Sequence, residues 1–205
     1  MALELYLDLF SQPCRSVYIF AKKNNISFDF KKLSLLDGQQ YGEDFGKISL
    51  IRKVPALRDG DFCLAESVAI MLYLAEKFKT PDFWYPADLR QRARVNEYLS
   101  WQHTAIRMHG SKIFWLRVRS PSLICVGAVR LVMSYLSSLP FIGLLAQRES
   151  CSEPLSAWRD RVQEAVGKEL FDEAHQYILG AQESVKSMDS SKMQVYKPKI
   201  LRLFM

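Results

Sequence analysis

Val54-Pro55-Ala56-Leu57-Arg58-Asp59-Gly60-Asp61-Phe62-Cys63-Leu64-Ala65-Glu66-Ser67 carries three structural signals in one short run. Val54 to Leu57 reads as the start of a strand entered through a proline, a position where the missing N–H is tolerated. Arg58-Asp59-Gly60-Asp61 is a hairpin turn signal, because glycine supplies the positive φ that a tight turn needs. Phe62-Cys63-Leu64 returns as a second strand. Glu66-Ser67 then opens a helix whose apolar residues Ala69, Ile70, Leu72, Tyr73, Leu74 and Phe78 continue to about residue 79.

A β-β-α unit of this kind is half of a fold, and the upstream sequence supplies the other half. Residues 3–9 (Leu-Glu-Leu-Tyr-Leu-Asp-Leu) alternate apolar and polar, which predicts a strand. Ser11-Gln12-Pro13-Cys14 follows, with Pro13 placed in a first helical turn and Ser11 just ahead of it. Cys14 to Lys23 has helical spacing, and Phe28 to Lys32 suits a further strand. The order is β-α-β, a connecting helix, then β-β-α: an α/β thioredoxin-like N-terminal domain over residues 1–79. Pro81 to Pro86 lies in a linker over 80–88, and residues 89–205 have the pattern of an all-α C-terminal domain. No repeat at a solenoid period is present.

Composition narrows the function classes. With 205 residues, 49% hydrophobic and 24% charged, the chain has the balance of a soluble globular protein. The net charge of +6 comes from scattered basic residues with no recognition module, so a nucleic-acid partner is not expected and an anionic small molecule is. Cys14, Cys63, Cys125 and Cys151 have no paired metal spacing and form no dense framework, so no metal is expected. The first residues lack a basic-then-apolar signal pattern, which makes the cytoplasm the expected compartment. Leu123 to Ala146 is long and apolar enough to span a bilayer, but Arg130 would lie well inside it, so buried helices are the preferred reading.

Several segments, in this order and spacing, resemble the theta class of the glutathione transferases. They are Leu5-Tyr6-Leu7-Asp8 running into Ser11-Gln12-Pro13-Cys14-Arg15, Lys53-Val54-Pro55-Ala56-Leu57, and Ala65-Glu66-Ser67. Beyond the linker they are Ala93-Arg94-Val95, Tyr98-Leu99-Ser100-Trp101-Gln102-His103-Thr104, Trp158-Arg159-Asp160-Arg161-Val162 and Leu170-Phe171-Asp172-Glu173-Ala174-His175. Residues 2–119 match with little interruption. The resemblance implies a homodimeric detoxification enzyme that uses glutathione as co-substrate and joins its thiolate to small hydrophobic electrophiles.

The resemblance also implies roles residue by residue. Ser11 would activate the thiol: a hydroxyl at a helix N-terminus can donate to sulfur while the positive helix end favours the anion. On its residue type alone Ser11 could equally be an N-cap. Arg15 would hold the thiolate or substrate, or else be a solvated charge. Val54, ahead of a cis proline, would pair its backbone with the cysteine of glutathione as an added strand does. Ser67 would take the γ-glutamyl carboxylate at a helix N-terminus, and Glu66 the amine. Lys53 would meet the glycyl carboxylate, and Gln40 falls where theta proteins often carry a histidine for that group. Thr104 and Arg107, three apart on one helix face, would line the electrophile side, with Arg107 holding a leaving group or the thiolate. His103 and His175 read as packing or capping residues, and His109 has no visible partner. Cys14 raises a rival possibility, a reactive thiol forming mixed disulfides with glutathione.

The chain departs from the family over 120–153, where the helix-capping pattern Gly-x-x-x-Ser-x-Ala-Asp is missing, and over 180–205. Loss of core helices would expose apolar faces. The alternative reading is therefore a catalytically weak or inactive glutathione-binding variant, a non-enzymatic interaction protein.

Overall fold

The computed structural model describes residues 2–104, 107 and 155–179. The atypical stretches 120–153 and 180–205, the apolar run 123–146, and His109, Cys125 and Cys151 lie outside the described residues. In chain order the elements are β1 (Leu3–Leu7), α1 (Gln12–Lys23), β2 (Asp29–Lys32), a 3-10 turn (Gln39–Tyr41), α2 (Glu43–Ile48), β3 (Ala56–Asp59), β4 (Phe62–Ala65) and α3 (Ser67–Phe78). They are followed by α4 (Leu89–Thr104), α5 (Leu155–Val166) and α6 (Lys168–Leu179). The four strands form one sheet in the order β2-β1-β3-β4. β1 runs parallel to β2 and antiparallel to β3, and β3 is antiparallel to β4. This is a thioredoxin-like α/β half followed by helices, as the sequence leads one to expect.

The alternation in β1 sorts its side chains by face. Leu3, Leu5 and Leu7 are buried and join Val17, Phe20, Ile70 and Leu74 in the main core. Tyr6, on the opposite face, meets Phe45 of α2 with ring centroids 5.9 Å apart. On that face Glu4 sits directly opposite Arg58 and accepts from its Nε at 2.7 Å and Nη2 at 2.8 Å. Hydrogen bonding from Arg58, helped by the Tyr6 hydroxyl, holds the Glu4 carboxyl below the usual range. Asp59 is held the same way by Lys77 and by the Tyr73 hydroxyl at 2.6 Å, which ties α3 to the end of β3.

Three boundaries differ from expectation, each for a backbone reason. β1 stops at Leu7 rather than Leu9, because Asp8 leaves the ladder and accepts from the Phe10 and Leu35 N–H groups at 2.9 and 2.8 Å. β3 starts at Ala56 rather than Val54, since Pro55 has no N–H to offer; the Val54–Pro55 bond is cis, as expected. The hairpin loop narrows to Gly60-Asp61, and of these two only Gly60 takes positive φ, the pattern of a II′ turn.

The first half is not separate from the rest. Val162, Val166, Phe171 and Ala174 belong to the same buried cluster as Leu5. Trp84, buried within the linker, packs edge-on against Phe20 at 5.3 Å. α6 is fastened to α1 by the Tyr18 hydroxyl, which donates to Glu173 at 2.6 Å. A hydrogen bond to a charged acceptor is worth about 1.5–3 kcal/mol. The contact of Lys32 with the Tyr177 hydroxyl is longer, at 3.3 Å, and exposed.

His175 on α6 packs as expected of a core histidine. It is 4% exposed, stacks on Phe171 at 4.1 Å, and donates through Nδ1 to the Phe171 carbonyl at 2.6 Å. Burial, assisted by the Arg15 charge, lowers its pKa to about 4. The unfolded imidazole takes up its proton near pH 6.5, which the folded protein refuses until about pH 4. Stability is thus complete above pH 6.5 and falls as the pH drops through that window. Urea melts should show a loss of about 2 kcal/mol between pH 7 and pH 5, and His175→Gln should flatten that slope. An equal slope in the variant would mean that another group carries the dependence.

Candidate functional site

Strand register collects the candidate residues at one end of the sheet. Tyr6 pairs with Ala56, and Ala56 pairs with Ala65. The exit of β1, the entry of β3 and the exit of β4 therefore share an edge. β2 runs parallel with Lys32 opposite Leu7, so its exit lies there as well. Residues 8–11, Lys53 to Pro55, and Glu66-Ser67 all fall on that edge, and the bond from Leu35 N–H to Asp8 brings the connection toward Gln40 alongside. Both α1 and α3 begin at the same edge, so two helix N-termini converge on it. Their unpaired N–H groups and positive dipole ends favour an anion.

Ser11 is the N-cap of α1, with extended backbone (φ −80°, ψ 123°), yet its hydroxyl makes no capping bond. Its carbonyl accepts from the Cys14 and Arg15 N–H groups, both at 3.1 Å. The helix is therefore started by backbone alone, and the side chain does not fill the alternative role of N-cap. Ser67 is buried at the first position of α3. Glu66 precedes it, exposed, with φ +73°, a left-handed conformation that costs a non-glycine residue energy and recurs at functional sites.

Val54 is buried just ahead of β3, and Lys53 is exposed beside it. The Ser49 hydroxyl lies 3.3 Å from the Lys53 carbonyl and 3.4 Å from its N–H, which fixes the backbone and leaves the ammonium free to reach outward. Gln40 is 4% exposed, and its Oε1 has no partner among the described residues. Such an orphaned acceptor in a sealed position is costly unless something donates to it.

Thr104 ends α4, and Arg107 follows three residues on. Burial lowers the basicity of the Arg107 guanidinium, while the charge of Glu66 acts in the opposite direction. The His103 ring is not packed as expected: it is exposed and accepts at Nδ1 from Arg107 at 3.4 Å. His103, Glu66, Val68, Asn96, Leu99 and Ser100 line an open cleft of about 390 Å³.

The rival reading of Cys14 is set aside, and the surface reading of Arg15 is corrected. Cys14 is fully buried, and burial pushes its thiol up to about 12 despite the Asp8 backbone and the Ser11 hydroxyl, which favour the thiolate. A thiol that stays protonated and sealed is not the reactive redox group weighed above. Arg15 is neither solvated nor aimed at a substrate. It is 0% exposed, and its Nη1 donates to the Leu9 and Phe10 carbonyls at 2.8 and 3.0 Å. Asp8 was not singled out from the sequence; its one signal was a carboxylate closing an alternating strand just before a helix start.

Among the described residues no group of three or more His, Cys, Asp or Glu is placed to hold a metal ion. No helix among them is long and apolar enough to cross a membrane.

Comparison with known proteins adds to this geometry. Residues 2–76 match the family model described as the glutathione S-transferase N-terminal domain. Glutathione S-transferase theta-3 of Mus musculus is 42% identical over 233 aligned positions, covering 96% of this chain and 97% of that protein. Those positions outnumber the 205 residues here, so the alignment opens gaps on this side. The apo form of human glutathione S-transferase T1-1 superposes with a TM-score of 0.80 at 38% identity, covering 99% of this chain and 100% of the other. Human glutathione transferase theta-2, solved with glutathione and an unknown ligand, gives 0.79 at 36%, covering 98% and 99%.

The burial of Cys14 gives a direct chemical expectation. In native protein treated with iodoacetamide at pH 7.5, the peptide holding Cys14 should remain unmodified, and unfolding in urea should make it react. Rapid native alkylation at Cys14, read by peptide mass mapping, would return the redox reading to contention.

Proposed function

This chain belongs to the theta class of the glutathione S-transferases, a transferase family, and from that premise we propose that Ser11 activates the glutathione thiol for attack on small hydrophobic electrophiles. One observation carries the proposal: a serine hydroxyl that makes no capping bond to the backbone of its own helix stands at the edge where both helix N-termini converge. Val54 would align the cysteine of glutathione through its backbone, Ser67 and Glu66 would bind the γ-glutamyl carboxylate and amine, and Lys53 the glycyl carboxylate. The buried Gln40 amide would add a neutral hydrogen bond to that last group.

The chemistry follows from placing an anion there. Glutathione binds with its thiol near Ser11, and the thiol proton leaves to solvent. The Ser11 hydroxyl then donates to the thiolate, and the α1 terminus stabilises its charge. The sulfur electron pair forms a carbon–sulfur bond, and the leaving group departs with the pair of the bond that breaks. Arg107, kept cationic beside Glu66, would hold a departing anion, with Thr104 beside it on α4. Binding through groups remote from sulfur positions the thiolate for reaction. We assign the chain a detoxifying role in the cytoplasm, as a homodimer.

The gapped alignment favours a second reading, in which the chain binds glutathione but turns over little. The two differ in the state of the bound thiol. An ultraviolet difference titration with saturating glutathione should find it ionising at least about one unit below the free thiol, equivalent to about 1.4 kcal/mol. Ser11→Ala should abolish that shift and lower kcat/KM at pH 6.5 about tenfold or more. An unshifted bound thiol in the wild type would support the second reading instead. Lys53→Ala should raise the KM for glutathione severalfold with kcat nearly constant, the signature of lost uniform binding by an exposed charge; a change in kcat alone would remove Lys53 from the carboxylate site.

A further inference from the structure

The turn that carries Ser11 is held from below by a charge that has no carboxylate partner among the described residues. Arg15 lies one helical turn after Ser11 with its side chain sealed from solvent, and no ion pair reaches it among the described residues. Burying a guanidinium is costly unless its donors are used. Here a single nitrogen, Nη1, directs one N–H to the Leu9 carbonyl and the other to the Phe10 carbonyl, while Nε and Nη2 have no partner among the described residues. The charge remains in place at neutral pH, since burial lowers the guanidinium only to about 10.

Those two carbonyls belong to the peptide units that lead into Ser11. The Phe10–Ser11 unit is held at both ends: its C=O accepts from Arg15, and its N–H donates to the Asp8 carbonyl at 2.9 Å. The Leu9–Phe10 unit is held likewise, with its C=O on Arg15 and its N–H on the Asp8 carboxylate at 2.9 Å. A peptide unit is planar, so fixing both of its ends fixes the plane. Two consecutive planes fixed in this way set the backbone of Phe10 and the direction from which the chain enters Ser11. The hydroxyl of Ser11 takes its position from that backbone: it makes no capping bond, and the side chain it meets is the buried Cys14 thiol.

We propose that Arg15 is a positioning residue for catalysis, which with Asp8 fixes the two peptide planes before Ser11 and so sets where the Ser11 hydroxyl meets the glutathione sulfur. The proposal rests on the reading of Ser11 as the activating hydroxyl. Lysine is not equivalent at this position: its ammonium is a point charge on a flexible stem, whereas the guanidinium directs two N–H groups in a fixed plane. On the same reading glutathione itself would be held by Val54, Glu66 and Ser67, which lie outside this turn, so loosening the turn should spare binding and damage activation.

The test uses the full chain with Arg15→Lys and Arg15→Met, beside Ser11→Ala. Each is measured for melting temperature, for the KM of glutathione, for kcat, and for the pKa of bound glutathione by ultraviolet difference. In folded Arg15→Lys the bound thiol should ionise about one unit higher and kcat at pH 6.5 fall about tenfold, with the KM for glutathione within about twofold. Combining Arg15→Lys with Ser11→Ala should add no further loss of kcat, because the positioned group is already gone. A lower melting temperature with an unchanged thiol pKa would make Arg15 a purely structural residue and overturn the proposal. If Ser11→Ala leaves the thiol pKa unchanged, the reading of Ser11 fails instead, and the two failures are thereby told apart. Should the Arg15 variants not fold, hydrogen exchange on the wild type decides. The Ser11 amide should be protected to within about tenfold of the Leu5 and Leu7 amides in β1; exchange at the rate of an exposed amide would show that the turn is not held, and would overturn the proposal.

Discussion

Sliding β3 by one residue against β1 would move every side chain of β3 to the other face of the sheet. It would also carry Val54 away from the turn after β1. The pairing of Tyr6 with Ala56 and of Ala56 with Ala65 is therefore the constraint on which the rest depends. Two features pin it. Leu5, Leu57 and the core beneath them require the apolar face inward, and Glu4 must sit opposite Arg58 to form its paired hydrogen bonds. With the register set, four chain ends and two helix N-termini meet along one edge without any of them being close in sequence.

The electrostatics of that edge are asymmetric. The helix termini of α1 and α3 and the Lys53 ammonium all favour negative charge, and Arg107 adds to them from the helical half. Glu66 is the acidic exception, and its position at the left-handed entry to α3 leaves it exposed, where an ammonium group could meet it. The arrangement suits a ligand with several anionic groups and one cationic group. The buried charge of Arg15 plays a different part: it faces backbone carbonyls, and its field reaches Asp8, Cys14 and His175.

Much of this was legible in the sequence because it is local. The alternation in residues 3–7, the Gly60-Asp61 turn, the proline at the entry to β3 and the start of α3 at Ser67 each depend on neighbours within a few residues. The resemblance to the theta class supplied the roles of Ser11, Lys53, Val54, Glu66 and Ser67, and the strand register brings them to one sheet edge. Burial decided by distant contacts was not legible. Arg15 looked like a solvated charge because the carbonyls that accept from it come from a turn, and turns advertise no partner. His103 looked like a packing residue because a single helix pattern does not show which side faces a cleft. Asp8 was missed because its work, holding the Leu35 N–H, crosses between β1 and the exit of β2.

The packing of α6 on α1 has a consequence for how such chains can be recombined. The linker at 80–88 looks like a natural place to exchange halves between relatives, but the core does not divide there. Tyr18 donates to Glu173, Ala174 fits within the cluster that holds Leu5, and Trp84 lies against Phe20. A chimera that joins this first half to a relative's second half inherits one side of each of these contacts. It must find a carboxylate opposite Tyr18 and a small side chain at the position of Ala174. The inheritable unit is the pair of helices α1 and α6, whose sequences lie at opposite ends of the described chain.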